Sequence, residues 1–121
     1  MSGTMYKQGT IVLVPFPFTD LSAQKRRPAL VISPGWFNNS YDDVVLSAIT
    51  SVIPDNLRDQ EDIICEISYE DLEIGTIPAK SIVKIPKIFT CEQNIIEKEV
   101  AQLKRAKITE VLEKLKKFFT G

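Results

Sequence analysis

The stretch Lys25-Arg26-Arg27-Pro28-Ala29-Leu30-Val31-Ile32-Ser33 runs from three consecutive cations, through a proline, into a short apolar segment. Ala29 to Ile32 has β-branched members and is bounded by Pro28 and by Pro34-Gly35, which predicts a strand buried on both faces. Pro28 has no N–H and biases the residue before it towards an extended backbone. Arg27 is therefore expected to carry its cation from a fixed point at the rim of a sheet.

A guanidinium fixed at such a rim can direct two donors at one phosphate group. The same three cations also fit a solvated basic turn, because a short basic run is a weak motif on its own. Residues elsewhere in the chain must decide between the two interpretations.

The composition is that of an ordinary globular domain, and the 121 residues are expected to form one domain over 1–121. Fifteen basic and sixteen acidic residues leave a net charge of −1, so affinity for nucleic acid would have to come from a local patch. No apolar run approaches the ~18 residues of a membrane span. Cys65 and Cys91 lack CxxC spacing and favour a reducing cytoplasm. Residues 1–6 are left out of the fold prediction, as a frayed start or as residues added to the protein.

Apolar segments bounded by turn residues predict five strands. They are Thr10–Val14, Ala29–Ile32, Val44–Ser51, Asp62–Ser68 and Ser81–Ile85, the last ended by Pro86. Thr19–Gln24 is predicted to be a mobile loop that leads into the three cations. Trp36–Asp43 and Tyr69–Gly75 are predicted connections, the second with a short turn of helix, and no other helix is expected before Ile95.

The end of the chain predicts a helix. Ile108, Val111, Leu112, Leu115, Phe118 and Phe119 form one apolar stripe at helical spacing. The preceding segment, Ile95–Leu103, is ambiguous, because its apolar residues fit helical spacing while its length suits a strand. Short strands with Gly and Pro turns and one terminal helix predict a mainly β fold, a small and partly open barrel with a C-terminal α-helix.

The chain contains no histidine, which removes the usual acid–base residue near neutral pH and the commonest metal ligand. No EF-hand loop, Walker loop or GxSxG elbow is present, so no metal or cofactor is expected. Arg27, a threonine at a strand end (Thr50) and loop cations remain, and this set suits the binding of a phosphodiester. RNA carries its own nucleophile, the 2′-hydroxyl, and can be cleaved at a site that supplies none.

The order of these segments resembles the MazF/PemK family of toxins. The matching stretches are Gly9–Phe16, Lys25–Ile32, Ser47–Ser51 and the stripe Ile108–Phe119, and the similarity runs over Lys7 to Phe119. The resemblance implies an SH3-like barrel, usually a homodimer, that acts as a metal-independent, sequence-selective endoribonuclease on single-stranded RNA. It also implies a cognate antitoxin that neutralises the protein, and a strand at Ile96–Leu103.

The resemblance assigns the site. Arg27 would bind the scissile phosphate and serve as general acid, and Thr50 would bond the phosphate oxygens. The RNA groove would further be lined by Phe18, Asp20, Lys25, Arg26, Ser51 and Lys84. Such a groove also suits an acidic antitoxin segment that is disordered until it binds. Pro86 and Phe89 depart from the family, in which some members carry an acidic residue and many an arginine at these positions.

Other interpretations stay open at this point. The Thr50 hydroxyl can bond its own backbone at a strand end. Phe16 and Phe18 can be packing residues instead of stacking surfaces for bases. The same fold is used by a related toxin that acts by binding DNA gyrase, and an inactive SH3-like interaction module is a third possibility. The presence of Arg27 and Thr50 disfavours the gyrase-binding function.

Overall fold

The structure is a computed structural model that describes residues 5–16 and 25–121. Its seven strands are β1 (Thr10–Phe16), β2 (Lys25–Val31), β3 (Asp43–Thr50), β4 (Ile64–Ile67), β5 (Leu72–Gly75), β6 (Ser81–Glu92) and β7 (Lys98–Leu103). The helices are α1 (Gly35–Ser40) and α2 (Arg105–Thr120), and three short 3-10 turns lie at Leu57–Gln60, Tyr69–Asp71 and Gln93–Ile95.

The strands form one antiparallel sheet in the order β4-β6-β3-β2-β1-β7-β5. Strands β4 and β5 lie at opposite edges, yet only residues 68–71 separate them along the chain. The two edges must therefore approach each other, and the sheet curls into a half-barrel. The predicted mainly β, partly open barrel with a C-terminal helix is confirmed.

Both faces of the sheet are covered by apolar side chains. One cluster contains Leu30 and receives Ile108, Val111 and Leu115 of α2. A second cluster, on the other face, contains Ala29 and Val31 together with residues of β1 and β3. Because side chains alternate between the faces of a strand, the run from Ala29 to Val31 feeds both clusters. The predicted burial of this strand on both faces is confirmed.

The prediction that Pro86 ends a strand is wrong, because β6 continues beyond it to Glu92. Val83 pairs with Ile49 of β3, but the next paired residue of β6 is Ile88, opposite Ser47. The intervening residues form a bulge that contains Pro86. A proline is tolerated there because the bulge leaves it outside the regular hydrogen-bond ladder.

The prediction of a plain connection at Trp36–Asp43 is also wrong, because α1 occupies most of it. A buried polar side chain, Asn38, holds this helix in place. Its Oδ1 accepts from Ser33 Oγ at 2.6 Å, and its Nδ2 donates to the carbonyl of Tyr6 at 2.8 Å. Tyr6, grouped by the sequence with the frayed start, is thereby joined to the helix. Tyr6 is 32 residues away from Asn38, so a local sequence pattern does not show this contact.

Strand β5 was missed within the predicted connection Tyr69–Gly75, although the helical turn before it is confirmed at Tyr69–Asp71. The strand exists through its pairing with β7, in which Leu72 lies opposite Leu103. The same pairing settles the ambiguous segment, since Lys98–Leu103 is a strand as the resemblance implied. In α2 the predicted stripe is buried over its first three turns, but Phe118 and Phe119 are exposed.

Candidate functional site

One cavity of about 540 Å³ lies at the end of the sheet where β2 begins and β3 ends. Its apolar wall includes Leu13, Ile49 and Val100. Its polar lining consists of Arg26, Arg27, Thr50, Ser51, Ser81 and Lys98. The cavity therefore combines an apolar wall with three cations and three hydroxyl groups, which suits an anionic ligand that also has apolar surface.

The register of two strands places Arg27 beside Thr50. Ala29 pairs with Ala48, and the adjacent residues of β2 and β3 continue this register. Extended by two residues towards the cavity, the same register sets Arg27 opposite Thr50. Pro28 has no N–H for the ladder, and the regular pairing of β2 with β3 ends before it reaches Arg27 and Thr50. The predicted extended backbone at Arg27 is confirmed by its place in β2.

The two neighbouring arginines have different surroundings. Arg26 Nε lies 2.8 Å from Glu97 Oε1, and this ion pair neutralises its guanidinium. For Arg27, no ion pair is present within residues 5–16 and 25–121, and its side chain is exposed. Arg27 is thus the arginine that offers a full charge to a ligand.

The Thr50 hydroxyl accepts a hydrogen bond from the N–H of Val52 at 3.1 Å. The interpretation that this hydroxyl bonds its own backbone is therefore correct. A hydroxyl has one donor and two acceptor positions, so this contact leaves the O–H able to donate. The contact also orients the oxygen at the strand end, because Val52 follows in the turn. A structural bond and a ligand-binding role are compatible in this side chain.

The structure brings only some of the predicted groove residues together. Arg26 and Ser51 line the cavity. Phe18 and Asp20 lie outside the described residues, and for Lys25 only the backbone, paired with Phe16, is described. Lys84 is exposed on β6 opposite Ile64 and is not among the residues that line the cavity.

Two polar residues of the cavity escaped the sequence analysis. Ser81 starts β6, and its hydroxyl donates to the carbonyl of Ala79 at 2.9 Å. Lys98 starts β7, where it pairs with Leu13 of β1. No local motif marks either residue, because both reach the cavity through long-range strand pairing.

Thiols and carboxylates do not form a metal site in the part of the chain that the structure describes, where no three such side chains are grouped to hold an ion. Cys65 and Cys91 are both free. Burial, followed by the nearby Glu110 carboxylate, raises the pKa of Cys65 to about 12. Burial and neighbouring carboxylates raise the pKa of Cys91 to about 11. Both thiols are therefore protonated at neutral pH.

Among the described residues, no helix has the length and apolar character required to cross a membrane.

Comparison with known proteins identifies one family. The family model described as PemK-like, MazF-like toxin of type II toxin-antitoxin system matches residues 7–119. No match was found among the curated proteins.

Solved structures share the fold at low sequence identity. An endoribonuclease in complex with its cognate antitoxin, from a mycobacterial species, has 14% identity and a TM-score of 0.74, with 95% of each chain covered. A mycobacterial endoribonuclease has 15% identity and a TM-score of 0.72, covering 97% of this chain and 93% of the other. A MazE-MazF structure from Deinococcus radiodurans has 18% identity and a TM-score of 0.74, covering 97% and 98%. At these identities the likeness shows the fold.

Proposed function

This chain belongs to the family of PemK-like, MazF-like toxins of type II toxin-antitoxin systems, and we propose that it cleaves single-stranded RNA at the cavity between β2 and β3. The observation that carries the proposal is the placement of Arg27 beside Thr50 in one cavity with an apolar wall. Phosphate groups fit the cation and the hydroxyl, and ribose or base surface fits the wall.

In this proposal the RNA supplies the nucleophile. The 2′-hydroxyl loses its proton to solvent as its oxygen forms a bond to phosphorus, and the bond to the 5′-oxygen of the next nucleotide breaks as that oxygen takes up a proton. The products are a 2′,3′-cyclic phosphate and a 5′-hydroxyl. The described residues supply charge stabilisation for this step, which is the part of catalysis that depends most on rigid donors.

Arg27 and Thr50 have distinct roles. The Arg27 guanidinium donates two hydrogen bonds to the scissile phosphate, and it can also donate to the leaving 5′-oxygen. The Thr50 O–H donates to a non-bridging oxygen, while Val52 N–H keeps the hydroxyl in place. The Thr50 oxygen is held in place before the ligand arrives, and the extended backbone of β2 fixes the point from which the exposed Arg27 side chain reaches the phosphate.

The experiment that tests this function is digestion of a mixed RNA by the purified protein in excess EDTA, followed by mass spectrometry of the fragment ends. We expect 5′-hydroxyl and 2′,3′-cyclic phosphate ends, or the hydrolysed form of the latter. An oligonucleotide with 2′-deoxyribose at every position serves as the control and should remain intact. Fragments with 5′-phosphate ends, or loss of cleavage in EDTA, would contradict the proposed reaction.

The proposal includes two protein partners. Structures with this fold include complexes with a cognate antitoxin, so we assign this chain a cognate antitoxin with an acidic binding segment. A second copy of the chain is the other partner, since a small half-barrel with one packed helix leaves much surface uncovered. Light scattering at micromolar concentration should give the mass of a homodimer. We assign this homodimer to the cytoplasm.

A further inference from the structure

Three cations line the cavity, and one of them already has a partner. Arg26 Nε lies 2.8 Å from Glu97 Oε1, which gives a pair with no net charge. The backbone of Glu97 is fixed as well, because its N–H donates to the carbonyl of Leu13 at 2.8 Å. Arg26 is thus held by an internal carboxylate before any ligand binds.

Lys98 differs from Arg26 in this respect. It pairs with Leu13, whose side chain lines the same cavity, and so it faces the cavity side of the sheet. The next residue, Glu99, pairs with Val12 of the opposite apolar cluster and is not among the residues that line the cavity. Within the described ranges no carboxylate forms an ion pair with Lys98.

The location of Glu99 has independent support. Tyr6 packs against the cluster that contains Val12, on the face opposite to Lys98. Burial and then the charge of Glu99 raise the pKa of the Tyr6 phenol, so this carboxylate acts on a residue of the second cluster. The Lys98 ammonium therefore acts in the cavity without a neutralising neighbour on its own strand.

Lys98, Arg27 and Thr50 all line the cavity, and Lys98 is one residue out of register with Arg27 across the sheet. Strands β3, β2, β1 and β7 are neighbours in this order. Leu13 pairs with Pro28 on one side and with Lys98 on the other, and Arg27 directly precedes Pro28. With strands about 4.8 Å apart, the backbones at Lys98 and Arg27 are roughly 10 Å apart, within reach of one ligand that both long side chains contact.

We propose that Lys98, and not Arg26, is the second phosphate-binding cation of this cavity. The RNA strand then crosses the sheet from β3 to β7, with the scissile phosphate at Arg27 and Thr50 and a neighbouring phosphate at Lys98. Leu13 and Pro28, between the two cations, contact the intervening ribose or base. This inference rests on the proposed RNA cleavage and adds the direction of the strand and one further binding residue.

The test measures RNA binding as a function of salt. A fluorescent 2′-O-methyl RNA of randomised sequence, which cannot be cleaved, is titrated with protein, and binding is followed by anisotropy. Each phosphate contact in a single strand contributes about 0.7 to the slope of log K against log salt concentration. Lys98→Gln should lower the slope by about 0.7 and weaken binding at low salt.

Two matched variants complete the design. Lys116→Gln removes an exposed cation of α2 outside the cavity and should keep the wild-type slope. The double variant Arg26→Gln with Glu97→Gln removes the internal ion pair without changing net charge, and it should also keep the wild-type slope.

The outcomes separate the two proposals. A wild-type slope in Lys98→Gln, or a lowered slope in the ion-pair variant alone, would overturn the assignment of Lys98 while leaving RNA binding established. Wild-type protein that binds no RNA would instead contradict the proposed function itself. Unchanged thermal unfolding of each variant confirms that the comparison concerns folded protein.

Discussion

Gly9 lies against Ile108 so closely that the helix side chain occupies the space where a Cβ atom would stand. Gly9 has a φ of 93°, a backbone conformation that residues with side chains rarely adopt. Its N–H donates to the carbonyl of Val31 at 2.8 Å, and its own carbonyl accepts from the N–H of Leu103 at 2.9 Å. This single residue therefore joins β2, β7 and α2 just before β1 begins.

Gly9→Ala should destabilise the protein strongly. The new methyl group would be strained by the positive φ, at about 1–2 kcal/mol, and would overpack Ile108, at about 1–3 kcal/mol. The free energy of unfolding in urea measures the sum of these two effects. Gly35→Ala is the matched control, because nothing lies within 4 Å of a Cβ at that position and no positive φ is required. Equal unfolding free energies for the two variants would contradict the close packing at Gly9.

Arg27→Ala should lower the rate of RNA cleavage by about 10² to 10³, the usual effect of removing one preorganised donor. The thermal unfolding temperature should hardly change, because the side chain is exposed. Arg27→Lys should also be strongly impaired, since an ammonium group cannot reproduce the two parallel donors of a guanidinium. Single-turnover cleavage rates measure the effect, and a fully active lysine variant would refute the bidentate role.

Thr50→Val should abolish most cleavage, because it removes the hydroxyl while it keeps the shape of the side chain. Val52 N–H loses its partner in this variant, at a cost of up to about 1 kcal/mol for an exposed hydrogen bond. Thr50→Ser retains the hydroxyl and should keep most of the activity. If valine and serine variants cleave equally fast, the hydroxyl has no part in the reaction.

The Cys65 thiol should make the protein less stable at alkaline pH. Its pKa in the folded protein is about 12, against an ordinary value of 9.0, chiefly because it is buried. The unfolded chain therefore loses this proton first, and stability that is complete below pH 9 is lost as the pH rises towards 12. The slope is about 1.4 kcal/mol per pH unit. Cys65→Ala should show a shallower decline in unfolding free energy between pH 9 and 11.

Antitoxin and RNA should compete for the cavity. Arg27 and Lys98 are complementary to carboxylates as well as to phosphates, and the apolar wall can hold the anchoring side chains of an acidic segment. The measurement is the affinity of the cognate antitoxin in the presence of saturating uncleavable RNA. We expect a large decrease in affinity. An unchanged affinity would show that the two sites do not overlap.

Local sequence patterns predicted the strands and helices that neighbouring residues determine. The run from Ala29 to Val31 is buried, as its continuous apolar character indicated, and Ile108, Val111 and Leu115 are buried, as their helical spacing indicated. Strand β5 is different, since it has no strong pattern of its own and forms through pairing with β7. Pro86 was wrongly predicted to end a strand, because the bulge that accommodates it depends on the pairing with β3 and not on a local pattern.

The residues of the site also fall into two groups, those marked by the sequence and those brought together by strand pairing. Arg27 and Thr50 were predicted because Pro28 and the end of β3 mark their positions in the sequence. Lys98 was not, because its distance from Arg27 depends on the pairing of β1 with both β2 and β7. The ion pair that neutralises Arg26 could not be predicted from the sequence either, since Glu97 lies far from Arg26 along the chain.

The pairing of β1 with β7 joins the first strand of the chain to the last. During synthesis the N-terminal segments leave the ribosome first, so β1 must wait for its second neighbour until β7 has been made. The cavity needs Lys98 and Val100 from that last strand, as well as Leu13 from the first. A nascent chain that stops before β7 therefore has an open wall where the cavity should close. The cavity is therefore complete only after β7 has been synthesised.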